Sequence, residues 1–400
     1  MSKKTKIAIV WANPYNKNLG VAALAYSSLA LLYDVVKENN LNADFSFFGS
    51  STRNEDEITI NNQKIIFDNF LGMRFFHWTA FVKLNIFPNK FKAKKLHEFD
   101  YIFDIAEGDS FTDIYGDDRF WRILNSKKFF YGLNKKQVLL PQTIGPFNKK
   151  EHEVEAFEVM KKLDKVISRD KKSFEYSAKF LPIDKIIEMI DVAFYLPFEK
   201  VNFDNNKINV GINISGLLWN GGYTRSNQFN MKTDYKELIR NTLEFFSQQE
   251  NVVVHLVPHV IPVDYPVEDD YVVAEEIIAE FPDVVLAPRF ENPIEAKSYI
   301  SGMDFFTGAR MHACIAAFST NVAVYPMAYS RKFNGLFEDT LNYKWMGDCV
   351  NSSAEEVLEG LKEAFAKRDT LSEQIELSLK EVVKPRLLQL KELIFETLNN

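Results

Sequence analysis

The chain begins with a short apolar run, Lys6-Ile-Ala-Ile-Val-Trp-Ala12. A polar loop from Asn13 to Gly20 follows, and then an apolar pattern of helical spacing from Val21 to about Lys37. A short apolar run bounded by turn residues predicts a buried strand, and recurrence at three and four predicts a helix. Strand-type runs recur at Phe45–Phe48, Lys64–Phe67, Tyr101–Ala106, Gln137–Pro141, Lys165–Ser168 and Ile186–Ile190. Helical patterns at Glu151–Leu163 and Lys171–Phe180 separate several of them. From Pro197 to Lys207 the sequence is polar and aperiodic, which predicts a domain boundary.

A second series then begins with a strand at Ile208–Ile214, a loop rich in Gly and Asn, and a helix at Asp234–Gln249. Strands are predicted at Val252–Val257, Val284–Leu286, Asp304–Thr307 and Ala323–Tyr325, and helices at Val272–Phe281, Pro293–Ser301 and Met311–Phe318. Two helices close the chain, Ser353–Lys367 and Leu371–Leu398. Alternation of this kind predicts an α/β protein with two Rossmann-like domains, 1–197 and 207–370. The helix over 371–400 is long enough to cross back to the first domain.

Composition narrows the function classes. The chain has 400 residues, of which 46% are hydrophobic and 26% charged, ordinary values for folded domains. Its net charge of −7 argues against nucleic acid as a partner, although residues 1–200 carry 30 basic against 26 acidic groups and residues 201–400 carry 18 against 29. Cys314 and Cys349 fit no metal or redox spacing. No stretch approaches the roughly 18 uninterrupted apolar residues of a span. A cytoplasmic protein is therefore expected. The aromatic segment Phe75–Phe91, with lysines continuing to position 95, reads as core aromatics followed by a solvated basic face, with peripheral contact at the inner face of a membrane as the alternative.

Ligands of open α/β sheets gather at the carboxyl ends of strands, where helix N-termini attract anions. Thr307-Gly308-Ala309-Arg310-Met311-His312 lies at such a place. Arg310 offers a planar fork for carboxylate or phosphate, and His312 a group that moves protons near neutral pH. The bland alternative is that Arg310 pairs with an acid across a domain cleft. Further cleft-lining candidates are Asn18, Glu107, Asp109, Ser110 and His259, with Arg169 at another strand end. The acids of the Glu107–Asp109 loop have no His or Cys beside them, so no metal site is expected. P-loop, GxSxG, HExxH and GxGxxG motifs are absent from the sequence, which argues against kinase, hydrolase, zincin and standard dehydrogenase.

Taken in order, these motifs resemble the polysaccharide pyruvyl transferase family. The resemblance rests on Asn18-Leu-Gly20, Asp104 to Asp113, Leu140-Pro-Gln-Thr-Ile-Gly-Pro-Phe147, Ser168-Arg-Asp170 with Ser173, and Asp191-Val-Ala-Phe194. It continues through Gly211-Ile-Asn-Ile-Ser215, Gly308-Ala-Arg-Met-His312 and Tyr329-Ser-Arg-Lys332. Two loops depart from the family pattern: Val21 follows Gly20 where Asp is usual, and Glu107-Gly108-Asp109 replaces a run of glycines.

The resemblance implies a GT-B-like pair of domains around a cleft, the first on the acceptor side and the second on the donor side. It implies transfer of pyruvate from phosphoenolpyruvate, a co-substrate with no further cofactor, to two hydroxyls of a sugar in a surface or capsular polysaccharide. The product is a cyclic ketal, and the acceptor is a sugar or a lipid-linked oligosaccharide. Arg310, Met311 and His312 map onto the donor motif, with Arg169 and Lys332 as further donor ligands and His312 as general acid. One rival is a GT-B glycosyltransferase, with Glu291 or Glu295 accepting ribose hydroxyls. Another is a non-catalytic polysaccharide-assembly protein.

Overall fold

The computed structural model describes residues 4–48, 55–70, 82, 86–87, 94–108, 110–203, 206–262 and 266–399. Asp109 and nearly all of the aromatic segment 75–95 lie outside them. The chain divides into two units. The first holds Met1–Tyr15, Leu24–Tyr195 and Pro385–Asn400; the second holds Asn16–Ala23 and Leu196–Lys384. The sequence reading placed all of 1–197 in one domain. The start of the first helix instead belongs with the second unit, and only its remainder with the first.

The first unit is built on a sheet of β1 (Thr5–Val10), β2 (Ala43–Phe48), β3 (Glu55–Ile60), β4 (Gln63–Phe70), β5 (Tyr101–Asp104), β6 (Ser110–Phe111), β7 (Lys136–Ile144), β8 (Lys165–Ser168) and β9 (Ile186–Glu188). Its order is β3-β4-β2-β1-β5-β7-β8-β9, with β6 beside β7. All pairs are parallel except β3–β4. Ile7, Ala8, Ile9 and Val10 of β1 are fully buried, as a central parallel strand covered on both faces requires. The β3 strand has no counterpart in the sequence reading, because Glu55-Asp-Glu carries charge where a core strand carries apolar side chains. Its signal was the turn Asn61-Asn62, where both residues adopt positive φ, and acidic residues suit an edge strand.

Helix α1 (Leu19–Glu38) is the one helix among the described residues long and apolar enough to cross a membrane, yet 78% of its most apolar window is buried in the protein. Helix α2 (Asp117–Gly132) also lacks a counterpart in the sequence reading. Its Phe120, Ile123, Leu124, Phe129 and Phe130 join the aromatic core with α3 (Lys150–Met160), and α4 (Lys171–Ser177) follows β8.

The second unit carries a fully parallel sheet of β10 (Ile208–Asn213), β11 (Val252–Leu256), β12 (Val285–Leu286), β13 (Phe305–Gly308), β14 (Ala323–Ala328) and β15 (Gly347–Asp348), in the order β12-β11-β10-β13-β14-β15. This is a doubly wound order that reverses direction between β10 and β13. The helices α5 (Tyr235–Ser247), α6 (Asp270–Glu280), α7 (Pro293–Ile300), α8 (Met311–Ser319) and α9 (Ala354–Ala366) accompany it. Sequence-legible caps start several of them: Asp234 caps α5, Asp269 caps α6, Asn292 precedes Pro293 of α7, and Ser353 with Glu356 forms a capping box on α9. The last helix, α10 (Lys384–Asn399), packs in the first unit through Arg386–Glu188, Lys391–Glu38 and Tyr101 Oη donating to the Leu398 carbonyl.

Candidate active site

The reversal point of the second sheet is set by the register of Asn213, the last residue of β10, against Gly308, the last of β13. A Cβ on Gly308 would lie 2.6 Å from the Asn213 Cβ, so only glycine lets the two strand ends come this close. Asn213 Oδ1 accepts from the Arg310 backbone N at 3.1 Å, and α8 begins at the next residue. The strand-turn-helix geometry thus places Arg310, Met311 and His312, all half-buried, at the positive end of α8.

Asp270 organises this point. Its carboxylate is fully buried at the start of α6. Oδ1 accepts from the Gly216 N at 2.8 Å and from Arg310 Nη2 at 2.7 Å. Oδ2 accepts from the backbone N of Val260 (3.0 Å) and His259 (3.1 Å), and from Asn213 Nδ2 (3.3 Å). One side chain therefore ties together the loops that leave β10, β11 and β13. Arg310 also donates Nη2 to the Glu268 carbonyl at 2.9 Å and Nε to Asp270. These bonds use Nε and Nη2, so the guanidinium is held at a fixed angle with its Nη1 edge turned away from Asp270. Burial opposes the Arg310 charge, but the Asp270 carboxylate more than compensates, and the pKa lies above its ordinary value. The partner acid belongs to the same unit, where the sequence reading had looked for one across a cleft.

The residues before α1 complete the group. Asn18 bridges Val260, Leu19 N donates to the His259 carbonyl at 2.9 Å, and Asn18 Oδ1 accepts from Gly20 N at 3.1 Å. Gly20 lies flat against the His312 ring: a Cβ there would fall 2.5 Å from His312 Nδ1. His259 is buried, and neither ring nitrogen has a hydrogen-bond partner among the described residues. Burial, with the nearby His312 and Arg310, pushes its pKa down to about 3. Asn18, Gly20, His259, Asp270, Arg310 and His312 thus form one cluster. Lys332 is half-buried in the turn Arg331–Phe333 after β14.

The other candidates lie in the first unit. Arg169 is buried, donating Nη1 to Asp191 at 2.8 Å and Nε to Thr143 at 2.9 Å, the arrangement of a structural brace. Glu107 is paired with Arg119 (2.9 Å) and Arg122 (2.7 Å), and it has φ 60° where the family usually has glycine. Ser110 is buried on β6, its Oγ without a partner among the described residues. Asp113, the last acid of that stretch, accepts from the backbone N of Asn148 and Lys149 and lies 3.0 Å from His152 Nδ1. Burial opposes its ionisation, but these bonds outweigh it and lower its pKa. Glu295 is engaged in the start of α7, accepting from Glu291 N and Asn292 Nδ2.

Asp270 does not stand out in the sequence, because the apolar spacing starts the helix only at Val272. Its signal was the pair Asp269-Asp270: one acid caps the helix, which leaves the second to be accounted for elsewhere.

Two Rossmann-like domains, with a polar cluster at the switch point of the second, make a GT-B-like fold. Similar solved structures include Staphylococcus aureus MnaA in a co-structure with UDP (TM-score 0.57, 10% identity, 93% of this chain and 90% of that one). Another is UDP-GlcNAc 2-epimerase from Neisseria meningitidis bound to UDP-GlcNAc (0.55, 11%, 99% of each). A third is the glycotransferase of kitacinnamycin (0.52, 10%, 99% and 100%). At these identities they show the fold alone. No curated protein matches the sequence significantly. The family model for polysaccharide pyruvyl transferase matches residues 18–331, most of the chain, and the chain belongs to that family.

Proposed function

We propose that the protein transfers pyruvate from phosphoenolpyruvate to two hydroxyls of a sugar in a surface or capsular polysaccharide, free or lipid-linked, on the cytoplasmic side of the membrane. The observation that carries this reading is the fixed Arg310 fork beside His312 at the positive end of α8. A carboxylate and a phosphate on one small molecule suit that surface. In the reaction, His312 gives a proton to the methylene carbon as a sugar hydroxyl attacks C2. Phosphate then leaves, and the second hydroxyl closes the ketal at the same carbon. The attacking oxygens lose two protons in all; one balances the proton added to the methyl group and the other leaves with phosphate. Asp270 acts by holding Arg310, and Gly20 by giving the His312 ring its place.

One observation favours a second reading. The Asp270 pairing offsets much of the Arg310 charge, as it would in a non-catalytic assembly protein of the same family. A thermal-shift comparison of phosphoenolpyruvate with a panel of nucleotide sugars, on wild type and Arg310→Ala, separates the possibilities. Ligand at about 100 times its Kd stabilises by about 2.7 kcal/mol. A shift with phosphoenolpyruvate alone, lost in Arg310→Ala, is the expected result. A shift with a nucleotide sugar instead would refute the pyruvyl reading, and no shift with either would favour the non-catalytic one.

A further inference from the structure

We propose that His259 is a second histidine of the donor site, with its neutral ring meeting an oxyanion of phosphoenolpyruvate beside Arg310. This rests on the pyruvyl reading above and assigns a role to a residue outside the Arg-x-His motif.

The argument starts from the backbone. His259 leaves β11 in a loop whose amide groups, its own and that of Val260, are fixed by Asp270. Its carbonyl accepts from Leu19 N. Both main-chain polar groups are thus locked, to the same carboxylate that orients Arg310 and to the residue next to the glycine that packs on His312. The backbone is fixed, and the side chain it carries is buried in the same cluster. Yet both ring nitrogens lie buried and unmatched by any described residue.

Buried polar groups in folded proteins are nearly always hydrogen-bonded, and an exception calls for an explanation. Two other buried histidines among the described residues have a partner on at least one ring nitrogen. His255 sits 2.8 Å from Tyr299 Oη and 3.2 Å from Asn209 Oδ1, and His152 sits 3.0 Å from Asp113. At His259 no such partner was built in, although the electrostatic neighbours are Arg310 and His312. Burial above all, and then these neighbours, disfavours a charge on the ring, which as a neutral imidazole carries one N–H and one lone pair. A phosphate oxygen accepts the N–H. A protonated phosphate oxygen or a sugar hydroxyl donates to the lone pair. An apolar ligand would satisfy neither.

The test uses the full chain labelled with 15N in histidine, titrated with phosphoenolpyruvate and, separately, with inorganic phosphate and pyruvate. Calorimetry measures binding in parallel on wild type, His259→Asn and His259→Phe. The expected result is a shift of the His259 ring nitrogens on adding phosphoenolpyruvate, with a Kd at least tenfold weaker in His259→Phe. His259→Asn, which keeps an amide donor, should recover part of that loss. Unchanged exchange protection of the Gly216 and Val260 amides in the variants confirms that the loop is intact. If protection is lost, the wild-type nitrogen shift decides alone. If phosphoenolpyruvate binds the wild type while the His259 nitrogens stay still, the proposal is overturned and the pyruvyl reading stands. If phosphoenolpyruvate does not bind the wild type, both are overturned.

Discussion

Asp270 and Arg310 form an ion pair whose two members depend on each other unequally, and that asymmetry can be measured. Replacing Arg310 by Met leaves the Asp270 carboxylate with three backbone amides (Gly216, His259, Val260) and the Asn213 side chain as donors. Its charge remains well met, and the cost should be about 1.5–3 kcal/mol, roughly one net hydrogen bond to a charged group. Replacing Asp270 by Asn is far worse despite equal size. Whichever way the new amide turns, its NH2 faces donors: His259 N and Val260 N on one side, Gly216 N and Arg310 on the other. With the NH2 on the Arg310 side, Arg310 keeps only the Glu268 carbonyl, and with it on the other side Arg310 keeps a neutral oxygen; in both cases its counter-charge is gone. Removing one member of a buried pair in this way costs about 3–5 kcal/mol. Because a two-unit chain need not unfold in one step, the measurement should be local. Native-state hydrogen exchange at the Gly216, His259 and Val260 amides reads the loops after β10 and β11 directly. Asp270→Asn should speed their exchange about tenfold more than Arg310→Met does, since each 1.4 kcal/mol is a factor of about ten. Equal effects, or a larger one from Arg310→Met, would refute the view that Asp270 is the organising residue.

Gly20→Ala should lower turnover of pyruvyl transfer about 100-fold, the scale expected when a reacting group is misplaced by about 1 Å, because the new Cβ displaces the His312 ring. The clash reaches the His312 Cβ as well as its ring, so overpacking of about 1–3 kcal/mol should lower the melting temperature too; a fully active variant would show that the ring position is unimportant. Acid should weaken the second unit. Burial holds the folded His259 pKa near 3 and the His255 pKa near 4, so between about pH 6.5 and those values the unfolded chain binds protons that the folded chain refuses. Stability should therefore fall with pH, by about 1.4 kcal/mol per unit per histidine. A urea-midpoint profile flat from pH 7 to 5 would contradict this, and His259→Phe should remove about half of the slope.

Much of this architecture was legible because central parallel strands are buried on both faces and leave unbroken apolar runs. Lys165–Ser168 and Pro293–Ser301 stood out for that reason and for the Asn-Pro cap. What escaped was structure whose stabilisation is not local. The edge strand β3 reads as a charged loop until its partner β4 is known. Asp270 reads as a solvated helix-start acid until Gly216, Val260 and Arg310, far apart in sequence, converge on it. Arg310 and His312 were visible as a pair in the motif. The use each makes of Asp270 and Gly20 was not, because no pattern along the chain encodes a contact between loops.

The division of the chain has a consequence for its synthesis. Residues 16–23 are made well before the β11 loop they bind and the His312 ring beside Gly20. The first unit waits too, since it takes in α10, which is made after the whole second sheet. Each unit is therefore completed only when a segment distant in sequence arrives. Until then α1 keeps apolar surface exposed, an interval in which a chaperone would have its main work.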